Sequence, residues 1–222
     1  MLTNISYWLT NNPCVPYSTS TGMLYVKNTL HTKIASLISL FIIPGVLNAV
    51  SASYLIIDDR SSGTYRSNLG SEWQLVTDQV MGGISDGELT LDDYQNRNCL
   101  RMRGDVSTEN NGGFVQIALT LSEKGDFDAT DYTGVEIDVA GNNQAYNVHL
   151  RTSGLWFPWQ SYRFTFEAST DWKTLRFPFT EIAPYKTNKR FQQNRLVRIG
   201  LVGIGRDFEA DLCVASVKLY RE

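Results

Sequence analysis

Residues able to do covalent chemistry are scarce in this chain. It holds only two histidines, His31 and His149. A Ser-His-Asp or Cys-His arrangement would therefore rest on His149 alone, and a His/Cys zinc site fails on the same count. Asp126-x-Asp128-x-x-Asp131 offers the carboxylates that a hard cation takes, but without the glycine and distal glutamate of a helix-loop-helix calcium loop. Asp and Thr in this stretch suit the capping of a turn better. The expectation is no catalytic residue, no metal and no cofactor, and a function based on binding.

Three stretches carry binding chemistry. Leu155-Trp156-Phe157-Pro158-Trp159-Gln160-Ser161-Tyr162 is the densest aromatic cluster. Such side chains displayed on a loop stack on a sugar ring or anchor a peptide, and they serve equally to plug the open end of a sandwich. The other two stretches are the loops Asp78-Gln79-Val80-Met81-Gly82-Gly83-Ile84-Ser85 and Asn111-Gly112-Gly113-Phe114. A Gly-Gly pair between apolar runs implies positive φ or a close backbone approach. No helical pattern or Lys-Ser/Thr pair follows, so a phosphate-cradling loop is not indicated. His149 and Arg151 share the polar alternates of one apolar run. The candidate binding residues are thus Asp78, Met81, Gly82, Gly83, Ser85, Asn111, Gly112, Gly113, Phe114, His149, Arg151, Trp159, Gln160 and Tyr162.

The elements that must position them show a period of two. Leu100-Met102-Val106, Val115-Ile117-Leu119-Leu121, Val135-Ile137-Val139, Tyr146-Val148-Leu150, Tyr162-Phe164-Phe166 and Leu175-Phe177-Phe179 each alternate with polar or small residues, and 197–204 and 212–220 close the chain. Each reads as a half-buried strand, and Pro178 limits its ladder. Arg151 and Gln160 then point outward, because Val148, Leu150 and Tyr162 point in. Strands at this spacing, with Gly, Asn, Asp and Pro in the joints and no long helical window, predict an all-β sandwich of one domain. Trp73 and Trp172 read as core.

Ahead of this domain, Lys27 and Lys33 precede an apolar run from Ile34 to Leu47, followed by Val50-Ser51-Ala52. A charged start, an apolar middle and a small-residue site predict a signal peptide over 23–52, with 1–22 as an upstream segment and export to the periplasm or the extracellular space. No membrane span is expected after cleavage. Every acid lies at Asp58 or later, so removing Lys27 and Lys33 from the 20 cations leaves 18 against 23 acids, a net charge of −5. A mildly acidic domain with scattered cations argues against nucleic acid as partner. Of three cysteines, Cys14 precedes the leader. Strict alternation puts Cys99 on a polar face and Cys213 with Ala215, Val217 and Leu219, which argues against a bond between them even though export permits one.

The order of these motifs, with Gly104-Asp105-Val106, Arg151-Thr152, Trp172-Lys173-Thr174-Leu175-Arg176-Phe177-Pro178-Phe179 and Ile199-Gly200-Leu201, resembles the complex I intermediate-associated protein 30 family over roughly Ile56 to Tyr220. The resemblance implies a galactose-binding-like jelly roll, a fold shared with carbohydrate-binding modules. It also implies a non-catalytic protein without cofactor, and, in mitochondrial members, a part in assembling the membrane arm of NADH:ubiquinone oxidoreductase. Glu209-Ala210-Asp211-Leu212 replaces the expected glycine and aromatic before the last strand. The expected function is protein–protein interaction of the assembly-factor type, with an exported carbohydrate-binding module as the alternative.

Overall fold

A computed structural model describes residues 53–222. The expected leader and upstream segment lie outside the described residues. The described chain forms β1 (Ser53–Asp58), β2 (Gln74–Thr77), β3 (Asp86–Asp93), β4 (Asn98–Val106), β5 (Phe114–Thr120), β6 (Gly134–Gly141), β7 (Gln144–Thr152), β8 (Ser161–Ala168), β9 (Lys173–Pro178), β10 (Ala183–Tyr185), β11 (Leu196–Ile204) and β12 (Phe208–Arg221). All pairings are antiparallel. The first sheet runs β3-β4-β12-β6-β9, with β1 also on β12, and the second runs β10-β8-β7-β11-β5-β2.

This is the expected jelly-roll sandwich. Its core lies between the inner faces, where Leu100, Met102, Ile137 and Leu212 of the first sheet meet Ile117, Tyr146, Val148 and Leu201 of the second, all at most 1% exposed. Burying each such aliphatic side chain contributes about 1.5 to 3 kcal/mol. Pro178 ends β9, where its missing N–H costs no interior ladder bond. The departure at Glu209-Ala210-Asp211-Leu212 is absorbed within β12, opposite Asp105 to Met102 of β4.

Four expectations are corrected. Cys99 and Cys213 are disulfide-bonded, with Cα atoms 5.5 Å apart. The pairing of β12 with β6 shifts register between Val214 and Ser216. This bulge inserts one residue, so Leu212 and Val214 face the core before it and Val217 and Leu219 after it. Cys213 therefore sits opposite Arg101, on the outer face that Cys99 shares, rather than with Val217. Second, β6 is not half-buried: Glu136 and Asp138 are 4% and 5% exposed, because cations and hydroxyls of the flanking strands cover them. Third, Trp172 is only partly buried and lies outside the core; its edge meets Tyr94 and its Nε1 donates to the Tyr94 carbonyl at 3.1 Å. Trp73 is buried, donating to Asp58 Oδ2 at 2.5 Å. Finally, His149, on the polar alternates of its run, is not solvated as a residue of an outer face would be: its Nε2 is buried.

Candidate functional site

The sheet geometry divides the sequence-derived candidates into two groups. β5 and β7 run one way and β11 the other, so Phe114 pairs with Ile204 at one end of the second sheet and Thr120 with Arg198 at the other. Six residue steps separate these ends, about 20 Å. The two Gly-Gly loops lie at the first end and the aromatic loop at the second, so they do not form one rim.

At the Gly-Gly end everything converges on Asp78, which is fully buried at the start of a short 3-10 turn, Asp78–Met81. Its carboxylate accepts from Ser85 N at 2.9 Å, from Ser85 Oγ, from Gly113 N at 2.5 Å and from Phe114 N at 3.1 Å. Ser85 Oγ accepts in turn from Ser107 N at 2.9 Å. Burial pushes the Asp78 carboxyl up, but these hydrogen bonds outweigh it and hold the group below the usual carboxylate value.

The glycines divide two tasks between them. Gly82 and Gly113 have φ of 88° and 121°, where a side chain is strained, whereas a Cβ on Gly83 or Gly112 would collide with the Asp78 carboxyl. One buried carboxylate thus joins loops 35 residues apart. It leaves Val80, Met81 and Ile84 exposed on the tip, at 72%, 56% and 49%. Asn111, at φ 59°, is exposed beside them.

At the other end the loop 153–160 presents its aromatics outward. Trp156 is 81% exposed, and the Phe157 and Trp159 rings are stacked 4.9 Å apart at 6°. Leu155 is the residue that fills the end of the sandwich. The loop is tied down from beneath. Arg151 Nη1 donates to the carbonyls of Phe157 at 3.0 Å, Pro158 at 2.8 Å and Gln160. Gln160 Oε1 accepts from the backbone of Trp156 and Phe157 at 3.1 and 3.2 Å, while its Nε2 donates to Lys186 O at 3.0 Å. Lys189 Nζ lies 4.8 Å above the Trp156 ring. Tyr162 is a core residue, its hydroxyl 3.1 and 3.0 Å from the Lys189 and Arg190 carbonyls. Arg151 does point out, as expected, yet one of its nitrogens is spent on the loop.

Between the ends, the outer face of the second sheet carries His149 opposite Arg163 and Arg151 opposite Arg198. Burial first, then Arg163 and Arg151, push the His149 imidazole down to about 3, so it is neutral at physiological pH. Its Nε2 is buried with no hydrogen-bond partner among the described residues. Arg163 Cζ sits 3.4 Å from the centroid of the Tyr185 ring. The aromatic cluster was legible in sequence. Arg163, Arg198 and Tyr185 were missed because only cross-strand register brings them to His149 and Arg151. No group of His, Cys, Asp and Glu among the described residues could hold a metal. Asp128 accepts from Thr130 N at 2.9 Å and closes a turn.

The family model described as Complex I intermediate-associated protein 30 matches residues 64–213. No curated protein matches the chain. Among solved structures, the family 11 carbohydrate-binding module of cellulosomal cellulase Lic26A-Cel5E of Clostridium thermocellum aligns at a TM-score of 0.60 and 12% identity, covering 76% of this chain and 95% of that one. The Clostridium thermocellum family 11 module in complex with a beta-1,3-1,4-mixed-linked tetrasaccharide aligns at 0.59 and 12% identity, covering 75% and 94%. The family 30 module of cellulase Cel9D-Cel44B from the same organism gives 0.51 at 16% identity over 68% and 91%. At these identities the likeness concerns the fold.

Proposed function

We propose that this chain, which belongs to the complex I intermediate-associated protein 30 family, is a non-catalytic module that binds a glycan at the aromatic end of its second sheet. The observation that carries this reading is Trp156, 81% exposed beside the Phe157–Trp159 stack, on a loop held in place by Arg151 and Gln160. At this exposure Trp156 buries little area within the chain, its ring meeting Lys189. Flat rings fixed before the ligand arrives offer stacking area at little entropic cost. Calorimetric titration against a panel of oligosaccharides should give heat with the wild type and at least a tenfold weaker response with Trp156→Ala. Absence of heat across the panel counts against the reading.

A second reading, contact with a partner protein of the kind an assembly factor makes, is favoured by Val80, Met81 and Ile84. They form an exposed aliphatic tip on a loop whose base is anchored by Asp78. A membrane pull-down in which Met81→Asp loses a partner that Trp156→Ala retains would assign that role to the Gly-Gly end.

We place the module outside the cytoplasm. The Cys99–Cys213 bond supports this, since such bonds persist in oxidising compartments, and it fits the charged, apolar and small-residue order of the first 52 residues. Among the described residues no helix is long and apolar enough to cross a membrane.

A further inference from the structure

The outer face of the second sheet has a charge pattern that folding does not require. Arg151 lies directly across from Arg198, and Arg163 directly across from His149. Like charges set opposite each other on neighbouring strands destabilise a sheet, and His149 would add a fourth positive charge if protonated. Burial acts first to lower the affinity of Arg151 for its proton, and Arg198 adds to that; burial does the same at Arg163. Both effects mark cations that are partly removed from water. Among the described residues no carboxylate comes within 4.0 Å of Arg151, Arg163 or Arg198, although eleven other ionic contacts of Arg side chains with Asp or Glu meet that limit. The acid nearest along the face, Glu167, stands four residues down β8 from Arg163, about 13 Å away.

We infer that this cluster is the seat of an anionic group on the ligand, so that the glycan bound at the aromatic loop is an acidic saccharide. The inference rests on the glycan reading above. Guanidinium groups are planar, weakly hydrated forks that pair with carboxylate and sulfate oxygens two at a time. Arg163 is held flat against Tyr185 and Arg151 is fixed by the loop carbonyls, so two of the three are already oriented. The cluster and the loop are joined through Arg151 itself, which puts an anion on the sheet within one or two sugar units of a ring stacked on Trp156. His149 is neutral and its Nε2 is buried, so the positive charge of the cluster comes from the three arginines.

The test is calorimetry of the full chain with an oligogalacturonide, a sulfated oligosaccharide and a neutral mixed-linked oligosaccharide of equal length, each at low and high salt. An acidic ligand should bind at least tenfold tighter than the neutral one and weaken as salt rises. The carboxylate and sulfate arms tell which acid is preferred. Arg198→Gln, which touches neither the loop nor the core, should cost roughly tenfold toward the acidic ligand and leave the neutral one unchanged, with a melting temperature at or above wild type. Equal affinity for acidic and neutral ligands, or normal acidic binding by Arg198→Gln, overturns the inference while leaving the glycan reading standing. If no saccharide binds, both fall together.

Discussion

The two outer faces of this sandwich treat charge in opposite ways. Over most of the first sheet, opposite residues are complementary: Arg103 faces Asp211 and Glu88, and Glu136 faces both Lys218 and Arg176, while at one end the exposed Asp105 faces Asp86 and Glu209. Arg101 grips Asp211 with two nitrogens at 2.7 and 2.8 Å and reaches Asp92 at 2.9 Å. Asp138 accepts from Ser216 at 2.6 Å, from Arg97 at 2.7 Å and from Thr174, and the disulfide lies on the same side. On the second sheet, like faces like and no acid compensates. A face whose buried and half-buried charges are paired within the chain serves folding; one whose half-buried cations remain unpaired at a cost to folding has capacity left for something else.

Three measurements can break or sharpen that contrast. The largest effect should come from Cys213→Ser, which opens a closure between residues 114 apart. Loop-entropy arguments give about 5 kcal/mol, visible as a lower urea midpoint and matched by wild type under reductant. An unchanged midpoint would mean the first face is not locked by its bond. Next is Asp138→Asn. Burial works against the Asp138 carboxylate, but Ser216, Thr174, Arg97 and Lys218 hold it below its usual range. Loss of the charge should cost about 2 kcal/mol, less than for a fully buried pair because Arg97 is 42% exposed. A cost within 0.5 kcal/mol, about that of an ordinary surface change, would erase the distinction between the faces.

The smallest effect is a pH slope. The folded His149 titrates near 3 against about 6.5 when unfolded, so below neutrality the unfolded chain takes up a proton that the folded one refuses. Stability is therefore lost as pH falls from about 7 toward 3. His149→Gln should remove about 1 kcal/mol of the loss between pH 7 and about 5.7. Asp78 and Asp138, both held below the usual value, lose their contribution only as pH falls below about 4. Parallel Tm-versus-pH curves for the two proteins would show that His149 is ordinarily solvated.

Much of the fold was legible because alternation is a local property. Val115-Ile117-Leu119 and Tyr146-Val148-Leu150 announce strands without help from neighbours, and both are fully buried where expected. Short or exposed strands carry no such signal: Gln74–Thr77, Asp86–Asp93 and Ala183–Tyr185 gain their order by pairing with β5, β4 and β8. The disulfide was misread because period two is blind to a single inserted residue, here between Val214 and Ser216. The Gly-Gly pairs were recognised as special, but their shared dependence on Asp78 was not, since Gly83 and Gly112 need space rather than positive φ. In the site, the aromatic run is contiguous and stands out. The basic cluster joins Arg151 to Arg198, 47 positions away, and nothing local marks either as lacking a partner.

The place of β12 has a consequence in time. It is the last made of these twelve strands, yet it lies in the middle of the first sheet, holding β4 and β1 on one side and β6 on the other. Until it emerges, the β3–β4 hairpin and the non-local β6–β9 pair have no strand to join them, and β1 lacks its partner among the described residues. The second sheet needs nothing beyond β11, so during synthesis the binding face can be assembled while its backing is still incomplete. A nascent chain stopped after Ile204 would hold every strand that carries the aromatic loop and the basic cluster. It would also expose the apolar inner faces of β4 and β6, the surfaces a quality-control protease or chaperone reads as unfinished.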